Sequence, residues 1–409
     1  MRFRISTIAL AIAASLPALA SAVDFSYSGF STAAYAQTDT DEAQVGYLGQ
    51  EEGIDGDGTF AIDSKIGLQV TAKFNDMISA TVQGVAYADL TADWKPHLDW
   101  AYVRLQPTSN FSARAGYLRT PTFMFSDSVF IGYANLWVRP PIEVYNLAPA
   151  YQLRGVDLLW RTSLGPVNVT VQPYYGDSEA KVGTNEYTTE VPEWGGIVVS
   201  GDYGSLTTRL GYGRMELGTT TPAIVPLITA LNGGPAVACG ACASEARRVD
   251  LDGEKFTLLD VGVQYDDGTN VVAGEYASRD SEHGNYVMPD VHGAYLTYGR
   301  RFGGLQPYAT YAFVRRDGVQ ESTAIPAVGP LAALSASVNG VIGTVTNDQD
   351  SYSAGVRYEV PSFWVLNGAV VKFQYDHIDV KKGDGMLNEV QPGFDGSLNM
   401  YSLSFDFIF

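Results

Sequence analysis

The last twelve residues, Leu398-Asn-Met-Tyr-Ser-Leu-Ser-Phe-Asp-Phe-Ile-Phe409, decide the fold. From Tyr401 onward every odd position is large and apolar, whereas Ser402, Ser404 and Asp406 occupy three of the four even positions. A period of two residues is typical of a β-strand with one apolar face and one wet face. Such a strand has two unpaired edges, so the rest of the chain must supply neighbours for it.

The same alternation recurs along the chain and predicts sixteen strands. They cover residues 24–36, 60–74, 77–88, 98–106, 111–119, 156–163, 167–175, 195–202, 205–216, 256–265, 269–279, 291–302, 305–316, 350–360, 364–380 and 398–409. The connections alternate between tight turns and long loops, and the even strand number places both termini at the turn end. One end with short turns and one end with long loops is the layout of an outer-membrane β-barrel.

Three features indicate that the apolar faces meet lipid and not a protein core. Large aromatic residues cap those faces at Phe25 and Tyr27 and again at Phe405, Phe407 and Phe409, as expected for interfacial girdles. The long loops lie on one side only. No segment after the N-terminus has eighteen consecutive apolar residues, and only a closed barrel of strands satisfies every backbone group in lipid. We therefore predict an all-β protein with a single sixteen-stranded antiparallel transmembrane barrel.

The N-terminus has the pattern of a secretory signal peptide. Arg2 and Arg4 form a basic start, residues 5–16 are apolar, and Ala20-Ser-Ala22 fits the small-x-small cleavage pattern. We expect cleavage after Ala22, so that residues 1–22 are the signal and residues 23–409 form the barrel. The alternative, an uncleaved membrane anchor, fits the short apolar run less well.

The charge balance excludes one class of partner. The chain carries 26 Lys and Arg against 45 Asp and Glu, a formal net charge of −19. Phosphate backbones are bound through basic patches, so this composition argues against nucleic acid as a partner.

The sequence offers little for catalysis, cofactors or metals. Cys239-Gly-Ala-Cys242 has the spacing of a redox or zinc motif, but the four His are scattered and no βαβ context surrounds it. We predict a disulfide between these cysteines in an oxidising compartment. Residues 37–59 form a long acidic loop whose Asp55-Gly-Asp-Gly58 run does not complete an EF-hand, and we expect this loop to be solvated. No Gly-x-Ser-x-Gly elbow is present, and His377 on an outward face has no evident Ser partner. We expect no enzyme, no cofactor and no metal site.

The chain resembles the Gram-negative general porins over essentially its whole length. The likeness rests on the signal peptide, the sixteen alternating strands, the terminal Phe409 and the long insertion after the fifth strand. Within the insertion, Trp137-Val-Arg-Pro-Pro141 followed by Glu143-Val-Tyr145 is similar to a segment of marine and pseudomonad-type porins. The insertion lacks the Pro-Glu-Phe-Gly-Gly type of sequence of enterobacterial porins.

The resemblance implies a Gram-negative outer-membrane location, a homotrimer, contact with lipopolysaccharide, and recognition of the last strand by the barrel assembly machinery. In that recognition Phe409, with Phe407 and Phe405, forms the assembly signal. It also implies that residues 120–154 fold into the lumen as a constriction loop. The alternatives for this loop are an external lid or a subunit contact.

The expected constriction places acidic loop residues opposite basic wall residues. The loop offers Asp127, Glu143 and Arg139, and the wall and the base of the loop offer Arg104, Arg114, Arg119 and Arg161. Opposed charges across a pore order water and favour polar solutes.

The expected function is passive diffusion of small hydrophilic solutes and ions through a water-filled channel. Two alternatives remain open: a channel specific for sugars or for phosphate and other anions, and a non-conducting structural or adhesive barrel. Ion selectivity is also open, because the acidic residues are concentrated in loops while the predicted lumen is rich in Arg.

Overall fold

The computed structural model describes residues 23–409 except 48–52, 89–93, 183–186, 219, 234–238, 319–320, 345–347 and 362–367. Sixteen antiparallel strands form one closed barrel in which each strand pairs with its sequence neighbours and β1 pairs with β16. This confirms the predicted fold class. Residues 1–22 lie outside the described part of the chain, so the signal peptide stays a prediction.

The connections between the strands alternate between tight turns and longer loops. The tight turns lie at one end of the barrel, which we call the turn end, and the longer loops lie at the other, the loop end. The strands are β1 (Asp24–Thr38), β2 (Lys65–Lys73), β3 (Ile78–Ala88), β4 (Trp94–Thr108), β5 (Phe111–Arg119), β6 (Gln152–Leu164), β7 (Val167–Val182), β8 (Tyr187–Tyr203), β9 (Leu206–Glu216), β10 (Lys255–Asp266), β11 (Asn270–Ser281), β12 (Val291–Arg300), β13 (Leu305–Arg316), β14 (Asp348–Val360), β15 (Ala369–Lys382) and β16 (Ser397–Ile408).

The last twelve residues of the chain close the barrel. Strand β16 pairs with β1 from Phe30 opposite Ile408 to Thr38 opposite Met400. The odd residues of β16 face outward, with Tyr401 49% exposed, whereas the even residues from Met400 to Asp406 are buried on the lumen side. The period of two in the sequence thus corresponds to a lipid face and a lumen face.

The long loops contain short helices that the sequence pattern did not predict. These are α1 (Ile142–Tyr145), α2 (Val225–Asn232), α3 (Cys242–Val249) and α4 (Ala332–Thr344). Strands β7 and β8 also extend well past the predicted ends at residues 175 and 195. Among the described residues, none of the helices has the length and apolar content needed to span a membrane.

Two long loops fold into the barrel from the loop end. The third loop (residues 120–151) connects β5 to β6, and the first loop (residues 39–64) connects β1 to β2. Apolar side chains of both loops share one buried cluster with lumen residues of the wall. The third loop was predicted to fold inward, and β6 begins at Gln152, two residues before the predicted end of that loop at Arg154. Residues 37–59 were predicted to form a solvated loop, but Val45 and Ile54 are buried, and residues 60–64, predicted as strand, belong to the loop.

Candidate pore constriction

The third loop crosses the lumen with its aromatic residues packed against the far wall. The Trp137 side chain is 2% exposed, and its indole Nε1 donates to Thr297 Oγ1 on β12 (3.0 Å) and Thr310 Oγ1 on β13 (3.1 Å). The Phe125 and Tyr295 rings meet the Trp137 ring edge to face, at 5.4 and 5.5 Å. Aromatic burial with a satisfied N–H explains why this loop is apolar in sequence.

The backbone of the third loop is tied to the β15–β16 wall by a buried lysine. Lys372 Nζ donates to the carbonyl oxygens of Gly132 (2.6 Å) and Trp137 (2.8 Å) and lies 3.2 Å from Asp406 Oδ2. Any side chain at position 132 would collide with Asp406, so this close approach requires glycine. Lys372 of β15, paired with Asp406 of β16, therefore holds the third loop against this wall.

Two predicted constriction residues, Arg139 and Glu143, belong to this anchor and are buried. The Arg139 guanidinium pairs with Asp63 of the first loop, with Nε 3.1 Å from Oδ1, and lies 3.7 Å from Asp376. Glu143 accepts hydrogen bonds from Gln349 Nε2 (2.7 Å) and from the Ser351 hydroxyl.

The pKa values of the two buried loop carboxyls, Glu143 and Asp63, are shifted in opposite directions. Burial raises the pKa of Glu143 above its usual value, and the hydrogen bonds from Ser351 and Gln349 offset this in part. Burial would also raise the pKa of Asp63, but the adjacent Arg139 charge outweighs it and holds that pKa below its usual value. At neutral pH the Asp63–Arg139 pair is therefore fully charged.

A solvent-exposed part of the loop faces the opposite wall. Asp127 is exposed, and its charge interacts with Arg114 of β5 without a direct ion pair. The Arg114 guanidinium forms a two-pronged ion pair with Asp157 of β6, with Nε 2.9 Å from Oδ1. Arg104 of β4 is the cross-strand partner of Arg114 and is half-buried. These residues form an arrangement of one loop carboxylate opposite two wall guanidinium groups, which we call the eyelet.

The remaining predicted residues lie around the eyelet. Arg119, at the base of the loop, is 4% exposed, pairs with Asp99 and stacks its guanidinium on the Phe130 ring at 4.4 Å. Arg161 of β6 is exposed, and its backbone N–H donates to Asn110 in the β4–β5 turn, so it lies toward the turn end. Arg104 and Arg114 are thus neighbours on the wall, and Arg114 is within electrostatic range of the exposed Asp127. Arg119 and Arg139 are buried in other ion pairs.

Sequence reasoning missed the carboxylates of β10 and β11. Glu275 accepts hydrogen bonds from Met124 N, Tyr145 Oη (2.7 Å) and Tyr295 Oη (2.6 Å), so it anchors both ends of the third loop. Asp260 accepts from Arg209 Nε at 3.0 Å. Both carboxylates occupy positions on the lumen face of their strands, a signal that the sequence pattern already contained.

The three C-terminal aromatic residues project from the outer face of β16. The rings of Phe405, Phe407 and Phe409 follow one another at 5.9 and 5.7 Å. The backbone of Phe409 exchanges hydrogen bonds of 2.7 and 3.0 Å with Gly29 of β1. Phe409, the last residue of the predicted assembly signal, therefore also makes the final pair of backbone hydrogen bonds between β1 and the C-terminus.

The cysteines lie in a helical cap at the loop end. Cys239 and Cys242 are joined in a disulfide at the start of α3, and α2, α3 and α4 pack around a small buried cluster. Over the part of the chain that the structure describes, no three His, Cys, Asp or Glu side chains are grouped to hold a metal.

Comparison with known proteins supports the architecture. No family model matches the sequence, and no curated protein matches it either. The chain is similar in structure to OmpT, an outer membrane protein of Vibrio cholerae in its trimer form (13% identity, 95% of this chain and 99% of that chain, TM-score 0.55). It is also similar to Salmonella typhi OmpF in complex with daunomycin (12%, 94% and 97%, 0.54). A third is an anion-selective porin from Comamonas acidovorans (12%, 95% and 100%, 0.51). At such identities the likeness shows the fold, which is that of Gram-negative outer-membrane porins.

Proposed function

We propose that this protein is an outer-membrane porin, a water-filled channel for passive diffusion of small hydrophilic solutes and ions. The observation that carries the proposal is the eyelet: exposed Asp127 on an in-folded loop opposite Arg104 and Arg114 on the wall. Because Asp127 is exposed, its charge can act on solutes in the lumen. Opposed charges at a narrow passage favour polar solutes over apolar ones.

The setting of the channel follows from the fold. The turn end faces the periplasm and the loop end faces outward, as in barrels of this type. We expect a homotrimer, in keeping with the trimer form of the Vibrio cholerae protein, and contact of the outward-facing loops with lipopolysaccharide. We expect the barrel assembly machinery to recognise Phe405, Phe407 and Phe409.

A second candidate is a channel with a preference for anions. Arg104 and Arg161 have no carboxylate within 4.0 Å anywhere in the described residues, whereas Arg114 and Arg209 each have one. Two uncompensated guanidinium groups along one wall would attract anions, and exposed Asp127 opposes them. A non-conducting adhesive barrel would need the same wall to be covered, and these side chains are accessible.

Solute uptake by liposomes tests the proposal directly. Purified protein reconstituted into liposomes should allow swelling in isotonic solutions of small sugars, at rates that fall as the sugar becomes larger. Liposomes that swell no faster than protein-free ones would refute a diffusion channel. Swelling in one sugar, but not in others of its size, would favour a substrate-specific channel.

A further inference from the structure

We propose that the described residues of the first loop (39–47 and 53–64) are a second constriction element, which with the third loop covers one side of the lumen and confines solutes to the wall formed by β3–β9. This inference rests on the channel function proposed above. It assigns the size limit of the pore to two loops acting together.

The first loop places apolar side chains inside the barrel. Val45 is 1% exposed, Tyr47 3% and Ile54 0%. They belong to the same buried cluster as Trp137 and Tyr145 of the third loop. Buried apolar side chains hold a loop in place, because exposing them to water is unfavourable. A loop that merely covered the barrel from outside would leave one face of these residues wet.

Polar contacts join the first loop to the third. The buried Asp63 carboxylate pairs with the Arg139 guanidinium, and Arg139 Nη2 also donates to Ser402 Oγ on β16 at 2.9 Å. Asn146 Nδ2 donates to the Gly46 carbonyl at 3.4 Å. The two loops are thus connected near both ends of α1.

The last loop (residues 383–396) supports the first loop from the loop end. Gln44 and Asn388 exchange two backbone hydrogen bonds of 2.9 and 2.8 Å, and Gln391 N donates to the Glu42 carbonyl at 2.7 Å. The first loop therefore lies between the third loop below it and the last loop beside it. This arrangement resists outward displacement.

Little space remains between the loops and the wall behind them. The cavity bounded by Val45, Trp137, Arg139, Ala312 and Met400 measures about 30 Å³. A cavity of this size holds about one water molecule and no solute. Around this cavity the loops cover the lumen residues of β13–β16, since Ala312, Ser351, Gln374 and Met400 are all buried.

The opposite wall is accessible. Arg104 of β4, Thr170 of β7 and Ser200 of β8 are half-buried, and Arg161 is exposed. Thr170 is the cross-strand partner of both Arg161 and Ser200, so these side chains lie in one row across the lumen face. A solute that passes the third loop near Asp127 would contact this row next.

Cysteine accessibility tests the inference in the full mature chain. In a C239S/C242S background, single variants Thr170→Cys and Ala312→Cys are reconstituted in planar bilayers and treated with a small anionic methanethiosulfonate. Both positions face the lumen, on the accessible and the covered side respectively. The current through Thr170→Cys channels should fall promptly. Ala312→Cys should react at least about tenfold more slowly, because its thiol must wait for local opening of the loops.

A second variant identifies the covering element. Adding Val45→Ala and Tyr47→Ala to Ala312→Cys should raise the reaction rate toward that of Thr170→Cys, since the first loop then loses its buried contacts. The same pair of changes in the Thr170→Cys channel should leave the rate unchanged, which controls for general unfolding.

Two results would overturn the inference. One is equal reactivity of Ala312→Cys and Thr170→Cys in the otherwise intact barrel. The other is an Ala312→Cys rate that does not respond to loss of the first-loop side chains, which would make the third loop the sole cover. Absence of any channel activity in every variant would instead count against the proposed function itself.

Discussion

The Asp63 carboxylate of the first loop and the Arg139 guanidinium of the third loop form a buried ion pair, with Nε 3.1 Å from Oδ1, although 76 residues separate them in sequence. Their side chains are 2% and 3% exposed. The pair joins the first loop to the third loop, the two loops that fold into the barrel.

Removing one partner of this pair should strongly destabilise the folded barrel. Asp63→Asn leaves the Arg139 charge buried with only the more distant Asp376, which should cost about 3 kcal/mol of unfolding free energy. Urea unfolding in detergent, followed by tryptophan fluorescence, measures this. Asp76→Asn removes the acid of an exposed pair with Lys73 and should leave the midpoint unchanged. Equal effects of the two changes would contradict a structural role for Asp63.

Charge changes in the eyelet should shift ion selectivity in opposite directions. Asp127→Asn should favour anions and Arg104→Gln should favour cations. A unit charge about 7 Å from the permeating ion in water-like surroundings contributes about 0.6 kcal/mol, or about a threefold change in the permeability ratio. The reversal potential in a salt gradient measures the ratio. Asp252→Asn, an exposed change outside the barrel, is the matched control, and a shift of the same size there would rule out a special role for Asp127.

Loss of the terminal aromatic residue should impair assembly in cells more than stability. Deleting Phe409 removes the exposed ring and the final backbone pair with Gly29 while leaving the register of the seam intact. We expect less heat-modifiable protein in outer membranes, but nearly normal refolding of the purified chain in detergent. Leu403→Ala, on the same outer face, is the control. An equal loss in cells and in detergent would show that Phe409 acts only through stability.

Stability at Glu143 should depend on pH. Burial raises the pKa of this carboxyl above its usual 4.5, so the folded chain keeps the proton to a higher pH than the unfolded chain. As the pH rises from about 4.5, ionisation in the unfolded chain therefore weakens the folded state at this residue. Glu143→Gln keeps an acceptor oxygen for Ser351 and cannot ionise. The thermal midpoint of Glu143→Gln minus that of the wild type should therefore increase as the pH rises through this range. A constant difference between the two at all pH values would contradict the account.

Period-two alternation was sufficient to predict the barrel. Residues such as Tyr401 and Ser402 face lipid and lumen because a strand forces successive side chains to opposite sides. The alternation of turns and loops then supplied the order of strands. The predicted ends of β7 and β8 were too short, because the pairing of these strands continues beyond the lipid-facing pattern on which the prediction depended.

The constriction was predicted only in part, because sequence does not show which charges meet. The charge of Asp127 acts on Arg114, whereas Arg139 is paired with Asp63 of the first loop and Glu143 is hydrogen-bonded to Gln349 of β14. Pairs such as Asp63 with Arg139 depend on tertiary contacts between distant segments.

The first loop illustrates what a charge-based reading overlooks. Its acids Asp39, Asp41 and Glu42 suggested a solvated loop, yet Ala43 and Val45, in an alternating run just after them, are buried. That alternation was visible in the sequence. Helix α4 of the cap, by contrast, gave no clear periodic signal, since it is nearly uniform in apolar character around its circumference.

Single-channel recording in planar bilayers tests the central claim most directly. The purified mature protein should produce discrete, long-lived openings whose conductance rises in proportion to salt concentration, as expected for a water-filled passage past Asp127 and Arg104. Folded protein that inserts into the bilayer and gives no openings at any salt concentration would contradict the proposal that this barrel is a diffusion channel.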